Sequence, residues 1–350
     1  MNRNMKRIHL SLTTALALVP LGLAPLAAAA QEQLSIYNWG DYINPEVLEK
    51  FTEETGIEVT LDTYGSNEEM LAKIQAGATG YDIVFPSVHM HDIMFQLGLL
   101  AKTDIGAKPG FENIDPQFVR ARTDPNAEYC LPYAFGNVGI VYNKALAGDI
   151  KGWADFFALG AEGKKITLLD DLRETIGIGL IMDGKSVNST DPAEVEAAAD
   201  YIIAHLDGVT AFTYDSVPQV ISGDVAAAHW YVGANLFVSE NPDTIGYIIP
   251  EEGATMYQED ICVLASAPHK DNAVAFMEFY MKPEIAALNV AQQMNGTPNV
   301  PAQDLIPEEI ATNPTIYPDQ AVMDKLQIFE DLGRDLQLYN SQWTRIKTAQ

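Results

Sequence analysis

Between residues 34 and 97, strand-length apolar runs alternate with helix-length amphipathic ones, and a mostly parallel sheet flanked by helices is the architecture that accommodates this rhythm. Residues 34–38 alternate as a strand. Pro45 opens a helix carrying Val47, Leu48, Phe51 and Thr52 on one side, and Gly56 closes it before a second strand over 57–61. Ser66, with Glu69 three residues on, caps a helix through Gln75. Residues 82–85 read as a short buried strand ending at Pro86-Ser87, with a helical pattern through Leu97.

The second half keeps this style without repeating the sequence. Strands are expected at 138–143, 165–169, near Val209, and at 226–230, 247–249 and 261–264, with 250–260 as a loop. Helices are expected at 153–159, from Asp170 through Met182, and from Pro192 through Leu206, where alanines favour them. Others fall at 217–221, 272–280 and 284–291, and two more lie beyond Pro307.

Arg3, Lys6 and Arg7 precede an apolar stretch from Leu10 to Leu26 and small residues at 27–30, the pattern of a secretion signal cut near Ala30. Gln31 and Glu32 follow rather than a lipid-accepting cysteine, so a soluble exported protein is expected, not embedded in the membrane. Some 320 residues remain, room for two domains with their own cores. The chain has 21 basic and 48 acidic residues, a net charge of −27; losing three basic residues leaves 18 − 48 = −30. Such a surface repels nucleic acid and anionic membranes and concentrates cations near its clefts. Cys130 and Cys262 could pair in an oxidising compartment, and two buried thiols fit their apolar neighbours equally well.

Ligands of open parallel sheets collect beyond the carboxyl ends of the strands. That rule gathers Trp39, Asp41 and Tyr42 after the first strand, and Ser87 and His89 after the third. It adds Asp171 and Glu174 after 165–169, Trp230 and Tyr231 after 226–229, and Asp260 beside the strand at 261. Rings beside carboxylates suit an organic cation. Each residue also has an ordinary reading: Trp39 and Trp230 as loop packing, Asp171 as a helix cap. Catalytic signatures are missing: no Gly-x-Ser-x-Gly, His-Glu-x-x-His or phosphate-loop motif occurs. No cofactor is implied. His89 and His91 lie two apart, which on a helix turns them to different faces and argues against a metal pair.

At the segments YNWGDYINPEVLEKFTEETGIEV, YDIVFPSVHMHDIMFQLGLL, PYAFGNVGIVYNK, LLDDLRETIGIGL, SGDVAAAHWYVGA and NGTPN, the chain resembles the periplasmic spermidine/putrescine-binding proteins of ABC importers. The resemblance implies a type II periplasmic binding protein fold, two α/β domains with the ligand cleft between them. It places the first domain at 31–137 plus 260–304 and the second at 138–259 plus 305–350, with crossings near Asn137, near Asp260 and at 301–307. It implies a periplasmic monomer that is not an enzyme, captures a small cationic amine and delivers it to an inner-membrane ABC permease. By the same resemblance Trp39 is the ligand aromatic with Gly40 and Asp41 as its polar neighbours, Ser87 the cleft serine, Asp171 and Glu174 the paired acids, Trp230 the second cleft tryptophan and Asp260 the amine-binding aspartate.

Several positions depart from the family pattern. His89 stands where a tyrosine is usual, Gln258 where an aromatic precedes the family aspartate, Asn295-Gly296 where an aromatic precedes Thr-Pro-Asn, and Thr344 where a glutamine is expected. The thinned aromatic box admits putrescine, spermidine or an ω-amino acid such as γ-aminobutyrate, whose carboxylate would need Arg173, His89, Gln258 or nearby amides as donor. An exported enzyme is the remaining, weaker alternative.

Overall fold

The structure is a computed structural model that describes residues 32–78 and 80–350; the secretion signal expected over 1–30 lies outside the described residues. The strands are β1 (Gln33–Trp39), β2 (Glu58–Tyr64), β3 (Ile83–Val84), β4 (Cys130–Asn143), β5 (Ile166–Leu168), β6 (Val209–Phe212), β7 (Ala227–Tyr231), β8 (Ile245–Ile248), β9 (Ala254–Val263) and β10 (Leu326–Ile328). They form one mixed sheet in the order β2-β1-β3-β9-β4-β7-β5-β6, with β10 alongside β9 and β8 alongside β4. One wing is parallel through β2, β1 and β3, the other through β7, β5 and β6. The long strands β4 and β9 run antiparallel between them.

Local chemistry explains the wings. Asn44 accepts a hydrogen bond from Glu46 N at 3.0 Å and starts the helix Pro45–Thr55. Val47 and Phe51 bury its inner face, and Gly56 ends it at φ 74°, a left-handed position suited to glycine. Leu34, Ile36, Phe51, Phe85, Ile261 and Phe276 belong to the core of this wing. Trp153, Phe156, Ile166, Leu168, Leu180 and Tyr339 belong to that of the other. No helix among the described residues is long and apolar enough to cross a membrane.

The sequence reading missed most of the central pair. Residues 254–260, expected within a loop, form the first part of β9, and β4 begins at Cys130, eight residues before the strand expected at 138. Gln258, Glu259 and Asp260 look like loop polarity but are buried, and each has side-chain hydrogen-bond partners. Pro132 and Gly136 look like strand breakers; the register shifts between Pro132 and Ala134, and such an irregularity accommodates a proline. Gly136 is required by close approach: a Cβ there would lie 2.4 Å from the Tyr257 hydroxyl. Cys130 and Cys262 face each other in the β4–β9 register and are joined by a disulfide across a Cα separation of 4.5 Å. Of the two readings the sequence left open, pairing is the one realised.

Candidate functional site

Alternate residues of a strand share a face. On one face of β9, Thr255, Tyr257 and Glu259 line up in this way, and two groups of acids gather at the two ends of the row.

At one end lies Glu259, 5% exposed. Its Oε2 accepts from the Tyr42 hydroxyl at 2.6 Å and its Oε1 from Ser87 Oγ at 3.1 Å. Ser87 is held in turn by Asn67, which donates to its Oγ at 3.1 Å. Burial pushes the Glu259 carboxyl up to about 8, against the pull of the Tyr42 and Ser87 hydrogen bonds, and the neighbouring Asp260 charge adds to the rise. Trp39, at the end of β1, donates its indole N–H to Phe85 O at 2.8 Å, and its ring lies 4.8 Å from that of Tyr64. Tyr64 also donates to Phe85 O, and burial followed by the charge of Glu259 raises its phenol well above the ordinary value. Asp41 is exposed at a left-handed φ of 52°, next to the acid-bonded Tyr42.

At the other end, Asp171 caps the helix Leu172–Met182: its Oδ1 accepts from Arg173 N at 2.8 Å and Glu174 N at 3.0 Å. Its Oδ2 faces the Tyr214 hydroxyl at 3.5 Å. Burial raises Asp171 despite those backbone bonds. Glu174, 5% exposed, accepts from Thr255 Oγ1 at 2.5 Å. Burial, then the charge of Asp171, pushes it up to about 8, while Thr255 and Arg173 pull it down. Tyr257 stands between the two ends: after burial, Glu259 and Glu174 both act on its phenol and raise it well above the ordinary value. Its hydroxyl donates to Asn295 Oδ1 at 2.9 Å, so the Asn295-Gly296 departure supplies the partner for this ring. Tyr231, 5.6 Å from Tyr257 ring to ring, also feels Asp171 and Glu174.

Two of the expected residues, Asp260 and Trp230, turn away from the Thr255-Tyr257-Glu259 face. Asp260 points to the reverse side of β9, where its Oδ2 meets His91 Nδ1 at 2.8 Å and its Oδ1 accepts from Gln258 Nε2 at 2.8 Å. Glu259 is the acid that faces Tyr42 and Ser87. Trp230 packs with the cluster of Val141, Val217, Val220 and Ala228, and its carbonyl accepts from the Tyr247 hydroxyl. Tyr231 takes its place beside the acids. Neighbouring residues of a strand face opposite sides, which is why Asp260 and Glu259, and Trp230 and Tyr231, have different surroundings. Tyr257, Glu259 and Tyr231 were legible as a period of two through Tyr257-Gln258-Glu259 and His229-Trp230-Tyr231, had those stretches been placed in strands throughout.

Most of the donors expected for a carboxylate ligand are committed elsewhere, Arg173 Nε alone of that guanidinium being buried without a partner. Arg173 donates to Val187 O, Asn188 Oδ1 and Glu330 O, and its guanidinium lies 4.5 Å from the Phe329 ring centre. Gln258 Nε2 donates to Phe118 O at 2.7 Å on the reverse face. His89 is half-buried, and burial and the charge of Arg173 push its imidazole down to about 4. His91, two residues on, faces Asp260 instead, as the helical spacing requires.

Parallel wings meeting at two long antiparallel strands, with helices on the flanks, form the type II fold of periplasmic binding proteins, a class that captures solutes without transforming them. Residues 46–318 match the bacterial extracellular solute-binding protein family, and the chain belongs to it. It is 32% identical over 346 residues to the spermidine/putrescine-binding periplasmic protein of Escherichia coli (strain K12), covering 97% of this chain and 98% of that one. It is 34% identical over 361 residues to the putrescine-binding periplasmic protein SpuD of Pseudomonas aeruginosa (strain UCBPP-PA14), covering 96% and 98%. The spermidine/putrescine ABC transporter substrate-binding protein PotD of Streptococcus pneumoniae strain Canada MDR_19A superposes with a TM-score of 0.82 at 35% identity, covering 91% of this chain and 99% of that one. Family and relatives make this a periplasmic solute-binding protein.

Proposed function

We propose that this protein is the receptor of a polyamine importer, taking putrescine or spermidine between the two wings of its sheet and handing it to an ABC permease in the inner membrane. The lobes proposed are 31–137 plus 260–304 and 138–259 plus 305–350, with β4 and β9 crossing between them. One observation carries the reading: the buried Glu259 at one end and the half-buried Asp171 with the buried Glu174 at the other flank Tyr257 on a single face of β9. Thr255 and Glu259 are four residues apart, about 13 Å along a strand. An ammonium group at each end makes charge-assisted hydrogen bonds, and the rings of Trp39, Tyr257 and Tyr231 cover the methylenes between. The relatives' names supply the ligand class, spermidine and putrescine.

The proposed ligand contacts are Trp39, Tyr42, Ser87, Asp171, Glu174, Tyr231, Tyr257 and Glu259, with Asp41 and His89 at the margin. An ω-amino acid fits less well, because the terminal nitrogens of Arg173 and the Gln258 amide already donate elsewhere, leaving only Arg173 Nε unpaired, and His89 is held neutral. Calorimetry with putrescine, spermidine and γ-aminobutyrate tests the assignment. Heat is expected with the polyamines and not with γ-aminobutyrate; no heat with either polyamine rejects it.

A further inference from the structure

Behind β9, on the face turned away from Glu259, lies a buried polar cluster that the receptor role leaves unused. His91, 2% exposed on the helix Val88–Gln96, pairs its Nδ1 with Asp260 Oδ2 at 2.8 Å. Its Nε2 is buried without a hydrogen-bond partner, with Asp124 Oδ2 3.7 Å away. Leaving such a nitrogen unpaired in an interior is unfavourable. A narrow gap lined by His91, Asp124, Cys130 and Asp260 lies beside it. One ring nitrogen of His91 and the sulfurs of Cys130 and Cys262 lie within 4.8 Å of one another.

We propose that the dithiol form of this protein, with the Cys130–Cys262 bond open, binds a zinc ion through His91 and the two cysteine sulfurs. Tetrahedral ligands at about 2.0–2.3 Å from zinc stand roughly 3.3–3.8 Å apart, so the cluster must contract by about 1 Å while the sulfurs separate. The carboxylate on the other ring nitrogen is the second feature of such sites: Asp260 orients His91 as acids orient zinc-bound histidines. Asp124 already accepts from Tyr129 N and Cys130 N, which leaves the fourth position to water. Opening the bond takes two electrons and two protons from a dithiol, which itself closes to a disulfide. Zinc then replaces the two thiol protons, which pass to solvent. A disulfide oxidant reverses the sequence: it takes the two electrons and, with two protons from solvent, opens to a dithiol as the Cys130–Cys262 bond forms and the ion is released. Both cysteines are buried, 2% and 0% exposed, so metal enters the newly folded chain before oxidation rather than the finished oxidised protein.

The test uses the full chain refolded in a phosphine reductant and titrated with zinc, then with cobalt(II). One equivalent is expected to bind, to protect both thiols from alkylation, and with cobalt to give sulfur-to-metal charge-transfer absorption. His91→Gln is expected to weaken zinc at least tenfold, and Asp260→Asn by about 10–100-fold. Should the reduced chain lose its folded circular-dichroism spectrum, zinc is expected to restore it. Thiols that react equally with and without zinc, a His91→Gln chain that holds zinc as tightly as wild type, equal binding by the oxidised protein, or no recovery of a lost spectrum each overturn the proposal.

Discussion

Affinity for a diamine should climb steeply between pH 6 and pH 8, because the two acids proposed to bind it start protonated. Glu174 and Glu259 are each pushed up to about 8, chiefly by burial. An alkylammonium, with a pKa near that of lysine at about 10.4, stays charged throughout this range. A carboxyl with pKa about 8 is roughly 1% ionised at pH 6, about 10% at pH 7 and half ionised at pH 8. Each group therefore adds about tenfold in affinity from pH 6 to 7 and about fivefold from pH 7 to 8; both together approach 100-fold and 25-fold, less whatever their coupling removes. Binding at pH 7 should release nearly two protons, which calorimetry in buffers of different ionisation heat reads directly. Affinity that is flat from pH 6 to 8, with no proton released, would refute the claim that these two buried acids meet the ammonium groups.

Three further outcomes follow from the same geometry. Without ligand, the raised pKa of Glu174 and Glu259 gives stability that is complete below their ordinary 4.5 and lost as pH rises through about 8, so the melting temperature of the free protein should fall from pH 5 to 9 while the shift produced by putrescine grows. Thr255→Val removes the donor to Glu174 and should weaken polyamine binding by about 1–3 kcal/mol in titration calorimetry; unchanged affinity would disconnect Thr255 from the site. Tyr231→Ala should cost affinity and Trp230→Ala mainly thermal stability, by less than the roughly 3–5 kcal/mol of a fully buried aromatic because Trp230 is half-buried; the opposite pattern would place Trp230 on the ligand wall.

The parallel wings were legible because their local signals agree. Asn44, Pro45 and Gly56 bracket a helix whose Val47 and Phe51 are buried, and the apolar Leu34 and Ile36 of β1 are buried as its pattern predicts. Ser87, Asp171 and Glu174, proposed as ligand contacts, could be picked out for the same reason, at the ends of recognisable strands. The centre was not. β9 carries polar residues on both faces, each bonded to a partner far off in sequence: Tyr42 for Glu259, His91 for Asp260, Phe118 for Gln258. Such a strand has no apolar side to mark it, and without a known register nothing separates Glu259 from Asp260. The disulfide was undecidable for a related reason, since the facing of Cys130 and Cys262 follows from the β4–β9 register alone.

That register yields the sharpest test. Glu259→Gln and Asp260→Asn alter adjacent residues by the same chemistry on opposite faces of one strand, and putrescine titrations of the two can be compared with their melting curves. Loss of a charge-assisted bond should weaken Glu259→Gln by about 1.5–3 kcal/mol, roughly 10–150-fold, with little change in melting. Asp260→Asn should bind nearly as wild type but lose about 3 kcal/mol or more of stability, because His91 is left in the interior without its partner. If instead Asp260→Asn abolishes binding and Glu259→Gln binds normally, the amine meets the other face of β9 and the site described here is wrong.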